Sequence, residues 1–350
     1  MKRILVPAAL VAASVLVAFA LGEAAARLLF KDETVMFPRY HTGYQYGDYT
    51  LRGIRPNARF THTSVDGTWE FVTNSKGLRD TREFAYEKPA GVLRVLALGD
   101  SHTQGYEVRQ DGTYAAALER WLAARGVRAE VLNAGVSGYS NAEALAFLEH
   151  EGYKYQPDVV VLGFYANDYQ DNFNAGLFAV DGGRLVERKR EHVPGVRIQN
   201  LIYSVPGVPW LGENSYLYSL AFNGAWRYAQ SMMQTRATGA PVEYALAKKH
   251  GPMARELALA AALVERMRRF CESRGIRFIV VDVPVPGGRY DFRASAPEQG
   301  FGKTEIVSSR ALFAAYEGAA ELHLPHGHRH ISEFAHAVIG AELGRRILGR

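Results

Sequence analysis

The chain has 350 residues, 48% of them hydrophobic, enough to bury a full core, and its composition shows neither disorder nor a repeat array. Its formal charge of +5 is a weak basic bias without a dense Lys/Arg run interleaved with aromatics, which argues against nucleic acid as a partner. The single cysteine, Cys271, excludes an intrachain disulfide framework and, lying in an amphipathic helical pattern, reads as a buried structural thiol.

Residues 4 to 21 carry no charge and follow Lys2 and Arg3. That length is at the lower limit for a spanning helix, and helix continuing through Phe30 extends it. Positive charge before the span predicts a cytoplasmic amino terminus with the body of the protein outside the cytoplasm. The expectation for residues 1–30 is an uncleaved membrane anchor, with a signal cleaved near Ala18-Phe19-Ala20, and so a secreted protein, as the competitor.

Residues 31–90 contain alternating pieces, Ala58 to Thr63 and Thr68 to Thr73, with a turn signal at Val65-Asp66-Gly67-Thr68. They predict a β-rich extension packed on the main domain. Asn74 to Asp80 reads as a tight loop in which Arg79 and Asp80 have structural roles.

From Val92 the pattern becomes strand, loop, helix, and residues 91–350 form the main domain. The apolar run Val92 to Leu98, with Arg94 its one charge, predicts a buried strand broken by Gly99-Asp100-Ser101. A helix from about Thr113 to Arg125, a strand from Arg128 to Asn133, a helix from about Asn141 to Glu151 and a strand from Asp158 to Phe164 follow. This alternation predicts a parallel sheet covered on both faces. An insertion at about 170–250 breaks it, irregular from Val193 to Gly212 and then helical from a cap at Asn214-Ser215 through Trp226. The pattern resumes with a helix from about Ala254 to Arg274, whose stripe is Leu257, Ala260, Leu263, Val264, Met267 and Phe270, and a strand from Arg277 to Val283. Residues 305–318 predict a helix, Glu321 to Pro325 a short final strand, and Ser332 to Leu348 the last helix.

Four segments follow strands with chemically useful groups. Ser101 offers a hydroxyl, Gly135 to Gly138 backbone N–H groups, Asn167 an amide, and His326 to His330 imidazoles. In a parallel sheet these segments share the carboxyl edge, where ligands bind. Acyl transfer by a serine needs such parts: a nucleophile, a base and donors for an oxyanion.

The segments resemble the SGNH (GDSL-type) hydrolases. Gly99-Asp100-Ser101 with Thr103, Gly105 and Val108 is similar to the first block of exported members, and Asn133 to Gly138 to the second. Ala166-Asn167-Asp168 is similar to the third, with Ala166 where a glycine is usual, and His330 to His336 to the last. The resemblance implies a flavodoxin-like three-layer α/β/α fold with a mostly parallel sheet. It further implies Ser101 as nucleophile, His330 as base, and an oxyanion hole made by backbone N–H of Ser101 and Gly138 and by the Asn167 amide. No cofactor is implied. Asp100 and Asp168 are expected to brace their loops through backbone N–H groups.

One departure concerns the base. The family usually carries an aspartate two or three residues before it, and here those positions hold His328 and Gly327. The orienting group is left open between a backbone carbonyl, His328, and a carboxylate from elsewhere such as Glu333. The cluster His323, His326, His328 and His330 raises a metal reading, but without a carboxylate set it ranks below structural or catalytic roles, and no metal is expected. The implied function is a serine esterase acting on an acylated small molecule or polysaccharide, such as an O-acyl group of an envelope carbohydrate. An O-acyltransferase using the same acyl-enzyme and a degenerate, non-catalytic carbohydrate-binding protein are the alternatives.

Overall fold

The computed structural model describes residues 2–193, 195–238, 254–295, 297 and 300–349; the last part of the expected insertion, 239–250, lies outside the described residues. The chain begins with α1 (Lys2–Leu29). Among the described residues, its Ala9–Leu29 stretch alone is long and apolar enough to cross a membrane, with mean hydropathy 2.0 and 6% of its window buried.

Two hairpins follow. β1 (His41–Tyr46) pairs with β2 (Tyr49–Ile54), and β3 (Arg59–Ser64) pairs with β4 (Gly67–Val72) around Val65 and Asp66, the first two residues of the expected turn. Their buried rings Tyr40, Phe60 and Phe71, with Ile54, pack on Val136 and Tyr139, which belong to the loop carrying Gly138. The β-rich extension therefore sits at the edge of the main domain that holds the chemistry.

The main domain is built from β5 (Leu93–Leu98), α2 (Ser101–Gln104), α3 (Tyr114–Ala123), β6 (Ala129–Asn133), α4 (Asn141–His150), β7 (Val159–Phe164) and α5 (Asp168–Ala175). An excursion follows: β8 (Phe178–Asp181), β9 (Arg184–Glu187), β10 (Glu191–His192), α6 (Val196–Tyr203), α7 (Val208–Asn214) and α8 (Tyr216–Thr238). The domain closes with α9 (Ala254–Glu272), β11 (Arg277–Asp282), β12 (Val285–Pro286), β13 (Phe292–Arg293), β14 (Glu305–Val307), α10 (Ser309–Phe313) and α11 (Glu333–Leu348).

The central sheet runs β6-β5-β7-β11-β14, all parallel. Counted along the chain this is the 2-1-3-4-5 order of the flavodoxin-like class, whose crevice opens at the carboxyl ends of the strands. Alternate strand residues serve opposite faces. Leu96, Leu98, Val160, Leu162 and Val280 meet α4 and α9, whereas Val95, Ala97, Val161, Ile279 and Val281 meet α3 and α11. Burial on both faces explains why these strands read as continuous apolar runs.

Four local expectations are corrected. Residues 305–318 do not form one helix: Glu305–Val307 pairs with β11 as the fifth strand, too short to show a period. The expected strand at 321–325 is a single bridge, His323 to Ile331. The stretch from Val193 to Gly212 contains α6 and α7, with Gly195 and Gly207 at their N-caps and Gly212 inside α7. On α9, Leu257 is exposed and Leu259 takes the buried place, because Cys271 extends the stripe on that side.

The excursion is tied twice to the N-terminal part of the chain. β10 adds to β2 in parallel, making a three-stranded sheet. Glu23, in α1, accepts from Ser215 Oγ at 2.8 Å and from the N–H groups of Tyr216 and Leu217 at 3.1 and 3.0 Å, so a side chain of α1 caps α8.

Candidate active site

β5 delivers the nucleophile candidate through a turn that only glycine fits. Gly99 has φ +147°, and a Cβ there would lie 2.2 Å from Thr103 Oγ1. Asp100 then caps α2 by accepting the His102 N–H at 2.9 Å, and burial pushes its carboxyl up to about 6 against that bond. Ser101, half-buried at the start of α2, has its Oγ 2.8 Å from His330 Nε2.

The other two loops are bound to this turn or to themselves. Asn133 Nδ2 donates to Thr103 O at 3.0 Å, and Val136 N–H to Gly99 O at 3.0 Å, which hold the Gly138 loop against α2. Arg52, from β2, donates to the Gly138 carbonyl. At the end of β7, Asp168 accepts the Tyr165 N–H at 2.8 Å, and its burial beside Asp100 holds its carboxyl well above the usual range. Asn167 borders Asp100, and its Oδ1 is buried without a hydrogen-bond partner. Its amide carries two N–H donors.

The group facing the base is Glu107, which the sequence reading did not select. Its Oε2 lies 3.5 Å from His330 Nδ1 and accepts the His328 N–H at 3.3 Å, while its Oε1 is buried with no partner. The side chain is fully buried, and the backbone is held at φ +58°, a conformation that costs a non-glycine residue roughly 1–3 kcal/mol. A Cβ on Gly327 would come 2.4 Å from Glu107 Oε1, so the base loop closes tightly over this carboxylate. Glu333, the carboxylate considered from sequence, instead pairs with Arg109 at 2.6 Å. His328 contributes its backbone N–H, and its ring stacks on Tyr106 with centroids 5.4 Å apart.

Arg79 fixes the loop that carries Glu107. Its buried guanidinium donates to the carbonyls of Gln104 at 2.8 Å, Gly105, and Val108 at 2.7 Å, and it lies 4.5 Å over the Phe71 ring. These acceptors lie on both sides of Glu107. Burial lowers the guanidinium to about 9, which leaves it charged at neutral pH.

The histidine cluster divides. His323 Nε2 bonds to Pro284 O at 2.8 Å, and His326 Nδ1 lies 2.7 Å from Asp66 Oδ1. His102 is buried against Tyr165 and His330, with ring centroids 4.1 and 4.7 Å away, and burial holds it well below the usual imidazole range. Glu107, His328 and His330 bring three ligand atoms within 4.8 Å of one another. A divalent cation there would draw on His330, which contacts Ser101, and on the carboxylate that faces it.

The arrangement holds a hydroxyl against an imidazole, the imidazole against a carboxylate, and polar donors near the hydroxyl. The GDSL-like lipase/acylhydrolase family model matches residues 97–303, a span that includes Ser101, Gly138 and Asn167 and stops before His330. No curated protein matches the sequence. Among solved structures, the chain is similar to a lipase/acylhydrolase from Enterococcus faecalis, at 16% identity and TM-score 0.39, with 74% of this chain and 96% of that one covered. It is also similar to a variant of an acetyl-xylooligosaccharide esterase from Geobacillus Stearmophilus, at 14% identity and TM-score 0.39, covering 74% and 94%. A third is a two-domain esterase active on acetylated mannans, at 13% identity and TM-score 0.40, covering 74% of this chain and 50% of that one. By the sequence match, which takes in more than half its length, the chain belongs to the GDSL-like lipase/acylhydrolase family.

Proposed function

We propose that the protein is a membrane-anchored serine esterase working outside the cytoplasm, with Ser101 as nucleophile, His330 as base and Glu107 as the acid that orients it. The observation that carries this reading is the 2.8 Å contact between Ser101 Oγ and His330 Nε2. His330 takes the hydroxyl proton as Oγ attacks the ester carbonyl. Backbone N–H of Ser101 and Gly138 and the Asn167 amide receive the oxyanion. The C–O bond of the ester then breaks, and the leaving alcohol takes the proton from His330. Water, deprotonated by the same imidazole, attacks the acyl-enzyme, and the carboxylic acid leaves as Ser101 regains its proton. Glu107 stabilises the imidazolium formed in each half-reaction.

The relatives active on acetylated mannans and acetyl-xylooligosaccharides, together with the N-terminal helix, support an O-acyl group of an envelope carbohydrate as substrate. A base without a carboxylate beside it would favour the non-catalytic alternative; the buried Glu107 beside His330 speaks against it. The test is turnover of p-nitrophenyl acetate and of an O-acetylated oligosaccharide by the full chain in detergent. The reading expects turnover that Ser101→Ala abolishes and that a chelator leaves unchanged. Equal turnover by Ser101→Ala would refute it.

A further inference from the structure

A cavity of about 480 Å³ lies between the β-rich extension, α6 and α8, and it reaches the catalytic edge through Ser137, Gly138 and His328. Its walls carry two guanidiniums, Arg39 and Arg52, beside His41 and the buried face of Trp226. The catalytic steps use none of these side chains.

The cavity is cationic. Arg39 is half-buried, donates to Asn223 Oδ1, and lies 5.1 and 5.0 Å over the rings of Phe37 and Phe222. Among the described residues no carboxylate lies within ion-pair distance of it. Arg52 is largely buried and its nearest acid is Glu143 at 3.8 Å, a separation beyond hydrogen bonding. Burial pushes the Glu143 carboxyl up to about 7, so it only partly offsets Arg52 at neutral pH. His41 Nε2 is buried without a partner, and burial together with both arginines holds that imidazole well below its usual range. Glu33 is the remaining acid in the lining, and it is exposed. Two guanidiniums held in a recess, Arg39 with no ion pair among the described residues and Arg52 facing only Glu143 across 3.8 Å, form a receptor for a planar or tetrahedral oxyanion, which Arg binds through paired N–H donors.

We infer that the cavity formed by Arg39, Arg52 and His41 binds an anionic group, a carboxylate or a phosphate ester, carried by the acylated substrate whose ester lies at Ser101. This rests on the esterase reading for the identity of the bound molecule, whereas the binding itself does not. The anion would be fixed beside Gly138, orienting the substrate so that its ester carbonyl faces the oxyanion donors. Specificity would then come from charge on the carbohydrate as well as from its acyl group.

The test is titration calorimetry on the full chain in detergent at low salt with three monosaccharides: D-glucuronate, glucose 6-phosphate and neutral D-glucose. At least one anion is expected to bind at least about tenfold more tightly than glucose, and the tighter of the two identifies carboxylate or phosphate as the source. Arg39→Gln should reduce that advantage about tenfold, Arg39→Lys should retain part of it, and added salt should weaken it. Unfolding curves superimposable on wild type establish that the variants fold. Anions binding no better than glucose, or folded Arg39→Gln binding them as wild type does, would overturn the inference. Turnover of p-nitrophenyl acetate is measured in parallel. Its absence in the wild type would sink the esterase reading and leave the binding result standing.

Discussion

Glu107 faces His330 across 3.5 Å, and it comes from the loop of the nucleophile rather than the loop of the base. Six residues after Ser101, it has reached the other side of the imidazole because α2 is a single turn that closes at Gly105. The separation is longer than a hydrogen bond, as catalytic contacts often are before substrate is bound. One short segment thus supplies both the hydroxyl and the carboxylate that flank the His330 imidazole.

Replacing Glu107 by Gln is expected to lower kcat by about 10²–10⁴, with little change in KM, because the imidazolium loses its counter-charge while the attack geometry survives. Glu333→Gln should leave kcat within about twofold of wild type, since its carboxylate is engaged with Arg109. Steady-state kinetics on p-nitrophenyl acetate compares the two. The reverse ranking would make Glu333 the orienting acid.

Arg79 should matter to catalysis without approaching the substrate. Arg79→Met leaves three loop carbonyls without their donor, a loss on the order of 3 kcal/mol or more. Lys at the same position restores charge but not the fork, so Arg79→Lys should recover only part of both stability and kcat. Urea midpoints and kcat measured on the same preparations test this. An unchanged kcat in a destabilised variant would assign Arg79 to stability alone.

Acid should destabilise the protein partly through His336. Its Nδ1 accepts the Tyr114 N–H at 3.1 Å, and burial, with Arg79 adding to it, lowers the imidazole to about 3. A histidine whose folded value is lowered contributes stability above its ordinary value near 6.5, and that stability is lost as pH falls towards the folded value. The whole contribution is on the order of 5 kcal/mol at 1.36 kcal/mol per unit. Glu143 and Asp171, both pushed up to about 7 by burial, act in the opposite sense, so the informative quantity is the difference between variants. Between pH 6.5 and 4, the Tm of His336→Asn should fall less steeply than that of wild type. Parallel slopes would remove His336 from the acid limb.

The parallel sheet was legible in the sequence because its strands are continuous apolar runs between amphipathic helices. The segments that hold Ser101, Gly138, Asn167 and His330 were marked by the ends of expected strands, and the resemblance to the SGNH hydrolases selected these residues within them. Glu107 was not selected, since nothing local distinguishes a fully buried catalytic carboxylate from a solvated one; its one sequence signal is a lone charge between Tyr106 and Val108, both buried. Arg79 was placed in a loop but not assigned its acceptors, which lie 25 to 29 residues away. β14 was missed because three residues define no period, and α6 and α7 because their glycines and prolines resemble loop composition. The Arg39 and Arg52 cavity depends on three segments far apart in the chain, and no spacing rule brings them together.

If Ser101 is an activated nucleophile, a fluorophosphonate should label the folded full chain there, as read by intact-mass and peptide analysis. One adduct per chain is expected, on the peptide containing Ser101, with none on Ser101→Ala and slowed labelling in Glu107→Gln. A folded wild type that remains unlabelled, or a Ser101→Ala variant labelled at the wild-type rate, would contradict it.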